Sequence, residues 1–155
     1  MYTGLLHLHN ILRWVILLLL VIAIIKAFAG MTGNKPLTNG DKKVSLFLMI
    51  FSHIQLLIGL YQWIAGPWGI IKKIPDGVSV MKDPAYRFFM VEHPLGMFIA
   101  IMLITIGRGQ VKKGISDVSK HKKMFWFYFI ALLLILATVP WPFRDIIARP
   151  LFPGA

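Results

Sequence analysis

The chain contains no cysteine. Disulfide bonds, thiolate metal sites and cysteine nucleophiles are therefore excluded. Acidic residues are also scarce, because six Asp and Glu stand against seventeen Lys and Arg. No apolar run carries the series of carboxylates typical of proton pumps, and there is no GxSxG, HExxH, P-loop or dinucleotide fingerprint. No inverted repeat is found either, which argues against a secondary transporter.

Apolar residues, by contrast, are abundant. They make up 57% of the 155 residues, and the mean hydropathy is +0.72. A soluble domain of this length cannot bury that much apolar surface, so the sequence predicts a single integral-membrane domain over residues 1–155, with the lipid bilayer as its partner. The net charge of +11 resides almost entirely in the connections between apolar runs. Charges placed there face anionic lipid headgroups, and nucleic-acid binding is not expected.

Four apolar runs predict an all-α, integral-membrane four-helix bundle. Each has about 20 residues, the length that crosses a hydrocarbon layer of ~30 Å. Asp83 and Pro84 form a typical helix start for the third run. The predicted spans cover residues 4–28, 44–66, 84–107 and 124–143.

The connections predict an orientation. The first and third, counted with Lys26 and Arg108, hold ten of the seventeen Lys and Arg, and the middle connection holds four. Basic connections remain on the cytoplasmic side. The sequence therefore predicts that both termini and the middle connection lie outside the cytoplasm, in a protein of the bacterial inner membrane.

Five ionisable residues lie at similar depth inside the predicted spans. These are His9 and Arg13 in the first, His53 in the second, and Glu92 and His93 in the third. At about 1.5 Å per residue, each lies roughly 8–15 Å below the outer end of its span, which predicts one polar layer in the outer half. Ionisable groups at such depth are costly unless paired or ligated. Arg13 and Glu92 are predicted to form an ion pair.

The three histidines of this layer suggest a metal or haem site. Neutral imidazole is a common metal and haem ligand, and the interiors of helix bundles host such sites. Pro94 frees the carbonyl of Met90 and kinks the third span, while Gly96 is predicted to leave room for a flat ring. His53 and His93 are the preferred axial pair because their estimated depths agree. His9 lies nearer the surface, where it can bond a propionate beside Arg13 or replace either ligand.

Other polar residues favour structural roles. A stripe in the second span favours close helix packing, with a quinone-head or cofactor-edge surface as the alternative. His121, in the basic stretch SKHKK, is predicted to be solvated. The stripe consists of Ser52, Gln55, Gly59, Gln62 and Gly66.

At LLHLHNILRW, FSHIQLLIGLYQW, VEHPLGMF and VPWPFR the chain resembles small four-span membrane proteins labelled cytochrome-b-like. The resemblance covers the whole length. It implies a haem b held between two histidines of different helices, which makes His9, His53 and His93 the ligand candidates. Because the second and third spans have one histidine each, two stacked haems are not expected.

Four functions stay open at this point. The first is a small membrane b-type haem protein that transfers electrons, with quinone or a larger respiratory complex as its partner. The second is a four-span haem-dependent oxidoreductase of the protoporphyrinogen-oxidase type. The third is a non-catalytic accessory membrane subunit whose polar layer locks the helices. The fourth is a three-histidine site for a bare metal ion.

Overall fold

The computed structural model describes residues 2–72 and 74–152 and contains only helices, turns and loops in that part of the chain. Four long helices dominate, and each is long and apolar enough to cross a membrane. The predicted all-α, four-helix membrane bundle is confirmed. A short 3-10 turn, Asp145–Ile147, follows the last helix. The long helices are α1 (Tyr2–Thr32), α2 (Asn39–Ala65), α3 (Pro84–Lys112) and α4 (Asp117–Thr138).

The helix ends follow from their caps. α2 begins at Asn39, five residues before the predicted span, because Thr38 and Asp41 form a capping box. α4 begins at Asp117, behind a Ser116 cap, and ends at Thr138, just before Pro140. Polar first turns therefore extend the helices beyond the apolar runs, while proline shortens the last one.

Each long helix packs against two neighbours, so the helices form a four-cornered bundle in which α1 and α3 lie diagonally opposite. At mid-height the interior is filled by apolar side chains that are almost fully buried, including Leu20, Leu48, Ile104 and Ala131. Large apolar side chains also cover much of the outer surface, as expected for helices that face lipid. We call the end with residues 2 and 152 the terminal end, and the opposite end the basic end.

α3 changes its helical form where Pro94 disturbs the pattern of backbone hydrogen bonds. Phe88–Glu92 forms one π-helical turn immediately before His93 and Pro94. Proline lacks an amide hydrogen and its ring crowds the preceding turn, so the ladder is locally rearranged. The indole Nε1 of Trp63 on α2 donates to the carbonyl of Met90 at 3.0 Å. That is the carbonyl the sequence predicted to be freed, and here it joins two helices.

Candidate functional site

Two partly buried imidazoles face each other inside the terminal half of the bundle. His9 projects from α1 and His93 from α3, and their ring centroids are 6.4 Å apart. Because these helices are diagonal, the rings meet across the bundle interior. The predicted histidine layer therefore exists for these two residues.

His93 is held by a neighbouring backbone carbonyl. Its Nδ1 lies 2.7 Å from the carbonyl oxygen of Thr138, at the last residue of α4. A carbonyl oxygen only accepts, so Nδ1 carries the hydrogen and donates, leaving Nε2 with a lone pair. A histidine that donates one ring N–H to a carbonyl while offering the other nitrogen has the arrangement typical of metal-bound imidazoles.

His9 is positioned by α2. Its backbone carbonyl accepts a hydrogen bond from Gln55 Nε2 at 2.8 Å. Its ring packs on Gly59, where an added Cβ would stand 3.3 Å from Cε1. Nδ1 of His9 is buried and has no hydrogen-bond partner among the residues that the structure describes. Such an atom is costly in an apolar interior, so it is a candidate for binding a further group.

Arg13 lies one turn further along α1 and is held by the C-terminal segment. Its Nη2 donates to the carbonyl of Leu151 at 2.7 Å, which also accepts from Trp14 Nε1 at 2.9 Å. The guanidinium lies 5.2 Å from the ring centroid of Trp14, and Nε is buried without a partner. Arg13 is therefore a cation that shares a helix face with His9 and is held by neutral groups.

The predicted ion pair between Arg13 and Glu92 is wrong. Glu92 pairs instead with Arg87, whose Nε lies 2.7 Å from Oε1, and both side chains are more than 40% exposed. In a π-helical turn residues five apart come together, which brings Arg87 next to Glu92. Since neighbouring helical residues differ by about 100° in direction, Glu92 points outward where His93 points inward.

The predicted axial pairing of His53 with His93 is also wrong. His53 Nε2 lies 2.9 Å from Thr105 Oγ1, and Thr105 is twelve residues, about 18 Å, further along α3 than His93. The depth estimate failed because Trp63, near the end of α2, is level with Met90 and not with Pro84. His53 is therefore displaced towards the middle of the bundle, where it lies exposed on the outer surface.

Gly96 does not provide the space that was predicted for a flat ring. A Cβ at this position would come within 2.5 Å of Thr138 Cγ2. The glycine instead allows α3 and α4 to approach closely, which brings the Thr138 carbonyl to His93. Its contribution to the site is indirect, through the position of α4.

His121 is buried, so the prediction that it is solvated is wrong. Only 1% of its surface is exposed, and both ring nitrogens lack partners. Its ring lies on Gly30, where a Cβ would come within 2.5 Å. The basic stretch SKHKK forms the first turns of α4, so it presents His121 to the interior while Lys122 and Lys123 remain exposed.

Around His121 the basic end holds a network of ion pairs and caps. Lys26 Nζ lies 3.0 Å from Asp41 Oδ1, and Asp41 also closes the capping box of α2. Asp117 accepts from the backbone N–H of Leu37 at 2.8 Å and from Lys120 Nζ at 3.0 Å. Both carboxylates therefore connect α1, α2, α4 and their loops. The sequence signal was the acidic residue in the first turn of each of these two helices.

Nowhere in residues 2–72 and 74–152 do three His, Cys, Asp or Glu side chains come together as a metal site. The hypothesis of a three-histidine metal site is therefore wrong, because His53 is too far from the other two. His9, His93 and Arg13 remain together as candidates.

Comparisons of the chain with models of protein families, with curated proteins and with solved structures found no match.

Proposed function

We propose that this chain is a small b-type haem protein of the membrane that transfers electrons, with His9 and His93 as the two axial ligands. The observation that carries the proposal is the pair of partly buried imidazoles that face each other from diagonal helices at 6.4 Å. This ligand pair replaces the pair of His53 and His93, which was predicted from the depths of the residues in their spans.

The donor set fits a haem in three respects. Nδ1 of His9 is buried without a partner, and Nε2 of His93 remains free once Nδ1 is bound to Thr138. Metal–imidazole bonds are about 2 Å long, and two such bonds together with the two ring radii roughly match the observed separation of the ring centroids. The hydrogen bond to a backbone carbonyl also raises the basicity of the ligand.

Arg13 supports the same proposal. Four residues from His9 on α1, it shares a helix face with that ligand. Its present partners are neutral, so a carboxylate of the porphyrin would be a stronger acceptor for its guanidinium. In that role Arg13 would neutralise one carboxylate of the haem and would favour its reduced form.

A bound haem would supply a one-electron centre, and the chain's own residues would set its properties. His9 and His93 would hold the haem between them, and the chemistry that it would supply there is the transfer of single electrons. This favours electron transfer over the protoporphyrinogen-oxidase type of reaction. The redox partner we propose is a quinone or a larger membrane complex.

The orientation also belongs to the proposal. We propose a bacterial inner-membrane protein with both termini outside the cytoplasm. Single cysteines are placed at Lys35, Lys120 or Gly77, and intact cells are treated with an impermeant thiol reagent. Only the cysteine at Gly77 should react. Reaction at Lys35 and Lys120 alone would invert the orientation.

The function is tested on the full chain purified from membranes of a host supplied with haem precursor. We expect about one haem b per chain and a low-spin absorbance spectrum that sharpens on reduction. His7→Ala serves as the matched control, because His7 is a histidine of the same helix outside the pair. A colourless protein free of metal would contradict the haem proposal and favour an accessory subunit.

A further inference from the structure

A groove on the outer surface between α2 and α3 is separate from the histidine pair. Its volume is about 260 Å³. His53 lies twelve residues from the end of α2 at Ala65, about 18 Å, and slightly further from Asn39, so the groove is near the middle of the span. Apart from His53 and Thr105 its walls are apolar, formed by Leu56, Phe98, Ile101, Met102 and Ile106.

The hydrogen bonds in this groove define which nitrogen of His53 is free. The hydroxyl of Thr105 donates its only hydrogen to the carbonyl of Ile101 at 2.8 Å. That hydroxyl can then only accept from His53 Nε2, which lies 2.9 Å away. A neutral imidazole has one N–H, so Nε2 carries it and Nδ1 is left with a lone pair.

This free lone pair requires a donor that the groove does not contain. The apolar wall residues offer no side-chain donor, and the hydrogen of Thr105 is already used. In hydrocarbon there is no water to satisfy the nitrogen. The groove is therefore complementary to a molecule that is largely apolar and carries a hydroxyl group.

A second copy of this chain is a poor occupant. In a two-fold dimer both partners present the same surface to each other. The groove of one copy would offer the other a second lone-pair acceptor and no donor, so both His53 nitrogens would stay unsatisfied. Lipid hydroxyls and headgroups are also unsuitable, because they remain at the interface, roughly one half-thickness of the hydrocarbon layer away.

We propose that the groove binds the reduced, hydroxyl-bearing form of a membrane-dissolved quinone, with the hydroquinone hydroxyl donating to His53 Nδ1. This inference rests on the proposed electron-transfer function, which calls for an electron donor of this kind. The oxidised quinone has carbonyl oxygens in place of hydroxyls, so it has no hydrogen to donate. The groove should therefore prefer the reduced form.

The test uses the full chain in nanodiscs, labelled with ¹⁵N-histidine, under anaerobic conditions. The probes are menadiol and its oxidised form, menadione. The ¹⁵N resonances of His53 are assigned by their absence in His53→Phe. We expect Nε2 to carry the hydrogen and the Nδ1 resonance to move saturably with menadiol. Menadiol should bind about tenfold more tightly than menadione, the difference that one hydrogen bond makes.

Two variants sharpen the test. His53→Phe keeps the groove apolar and should lower menadiol affinity to that of menadione. Thr105→Val removes the acceptor that holds the hydrogen on Nε2, so the ring can present either nitrogen as donor. The ratio of the two affinities should then fall to about one. His7→Phe, outside the groove, should behave as the unaltered chain does.

The proposal would be overturned by equal binding of the two probes to the unaltered chain, or by no change in the His53 resonances with either. A change that depends on protein concentration without any probe would indicate a second copy and also overturn it. Haem content is measured on the same preparation. Menadiol binding to a protein that lacks haem would contradict the haem proposal alone. A protein that contains haem and does not bind menadiol would contradict only the proposal that the groove binds a hydroquinone.

Discussion

Each end of the bundle places a histidine in the interior, buried at the basic end and partly buried at the terminal end, and the surroundings of the two histidines differ. At the basic end His121 adjoins a cavity of about 10 Å³, the size of one water molecule, which Lys26 and Asp41 also line. At the terminal end His9 adjoins a second imidazole, that of His93. The basic end offers room for water between paired charges, whereas the terminal end offers two nitrogens and Arg13, whose partners within residues 2–72 and 74–152 are neutral.

The carboxylates account for this difference. Asp41 completes the capping box of α2 and pairs with Lys26. Asp117 accepts from the backbone N–H of Leu37 and pairs with Lys120, so the polar groups at the basic end hold the helices together. At the terminal end the one carboxylate of the polar layer, Glu92, points outward to Arg87. We infer that the basic end contributes mainly stability and the terminal end mainly function.

Between the two ends the buried side chains are mainly apolar, apart from the hydroxyl groups of Ser52 and Tyr128. Leu20, Leu48 and Ile104 are completely buried there, together with Ala131. None of these four apolar side chains accepts a proton. Substitutions at one end of the bundle should therefore have little effect on the residues at the other end, so each end can be tested separately.

The largest expected effect on stability is at the basic end. Asp41→Ala removes the capping box of α2 and leaves the partly exposed Lys26 unpaired, so the free energy of unfolding should fall by about 2–3 kcal/mol. Equilibrium unfolding in mixed detergent micelles measures this change. Glu92→Ala is the matched control at the terminal end and should cost less than about 1 kcal/mol, because its ion pair is exposed. Equal losses of unfolding free energy in the two variants would contradict the proposal that the polar groups of the basic end contribute more stability.

Two glycines provide a comparison at equal steric cost. Gly30→Ala would collide with the His121 ring, and Gly96→Ala with Thr138, each at 2.5 Å. Each should lower the free energy of unfolding by about 1–3 kcal/mol. Only Gly96→Ala should also alter the haem absorbance spectrum, since it displaces the carbonyl that holds His93.

The control for both is Gly4→Ala, where an added Cβ meets nothing within 4 Å. It should leave the unfolding free energy unchanged or raise it slightly, because alanine favours a helix. A haem spectrum that changes in Gly30→Ala and not in Gly96→Ala would reverse the roles assigned to the two ends.

The smallest effect concerns the exposed ion pair. Glu92→Gln and Arg87→Gln should each lower the free energy of unfolding by less than about 1 kcal/mol, and the double variant should lose less than the two single losses added together. Glu92→Gln combined with Arg13→Gln should instead be additive. Coupling between Glu92 and Arg13 would restore the ion pair predicted from sequence.

The sequence was sufficient for the fold, because four apolar runs of membrane-spanning length define four helices. It also identified His9, His93 and Arg13, because ionisable residues within such runs are conspicuous. Pro94 correctly indicated a disturbed helix and a free Met90 carbonyl. All of these are local properties of a single helix, which a sequence records directly.

Relations between helices were harder to predict. The depth of His53 depended on where α2 ends relative to α3, and Trp63 sets this offset by bonding to Met90 inside α3. The partner of Glu92 depended on one π-helical turn, which rotates the side chain away from Arg13. Burial of His121 depended on Gly30 of another helix. Offsets of one turn and contacts between helices have no signature in a single sequence.

His9 and His93 are proposed as the two ligands of the haem, and rescue by imidazole distinguishes them from His53. Glycine is placed at one of these positions, or at His53 as the control, and the absorbance spectrum is recorded before and after imidazole is added. His9→Gly and His93→Gly should each lose the low-spin spectrum and regain it with imidazole. His53→Gly should keep it throughout. If His53→Gly loses the low-spin spectrum and regains it with imidazole, while the spectrum of His9→Gly is unchanged, the assignment of His9 and His93 as the ligands is wrong.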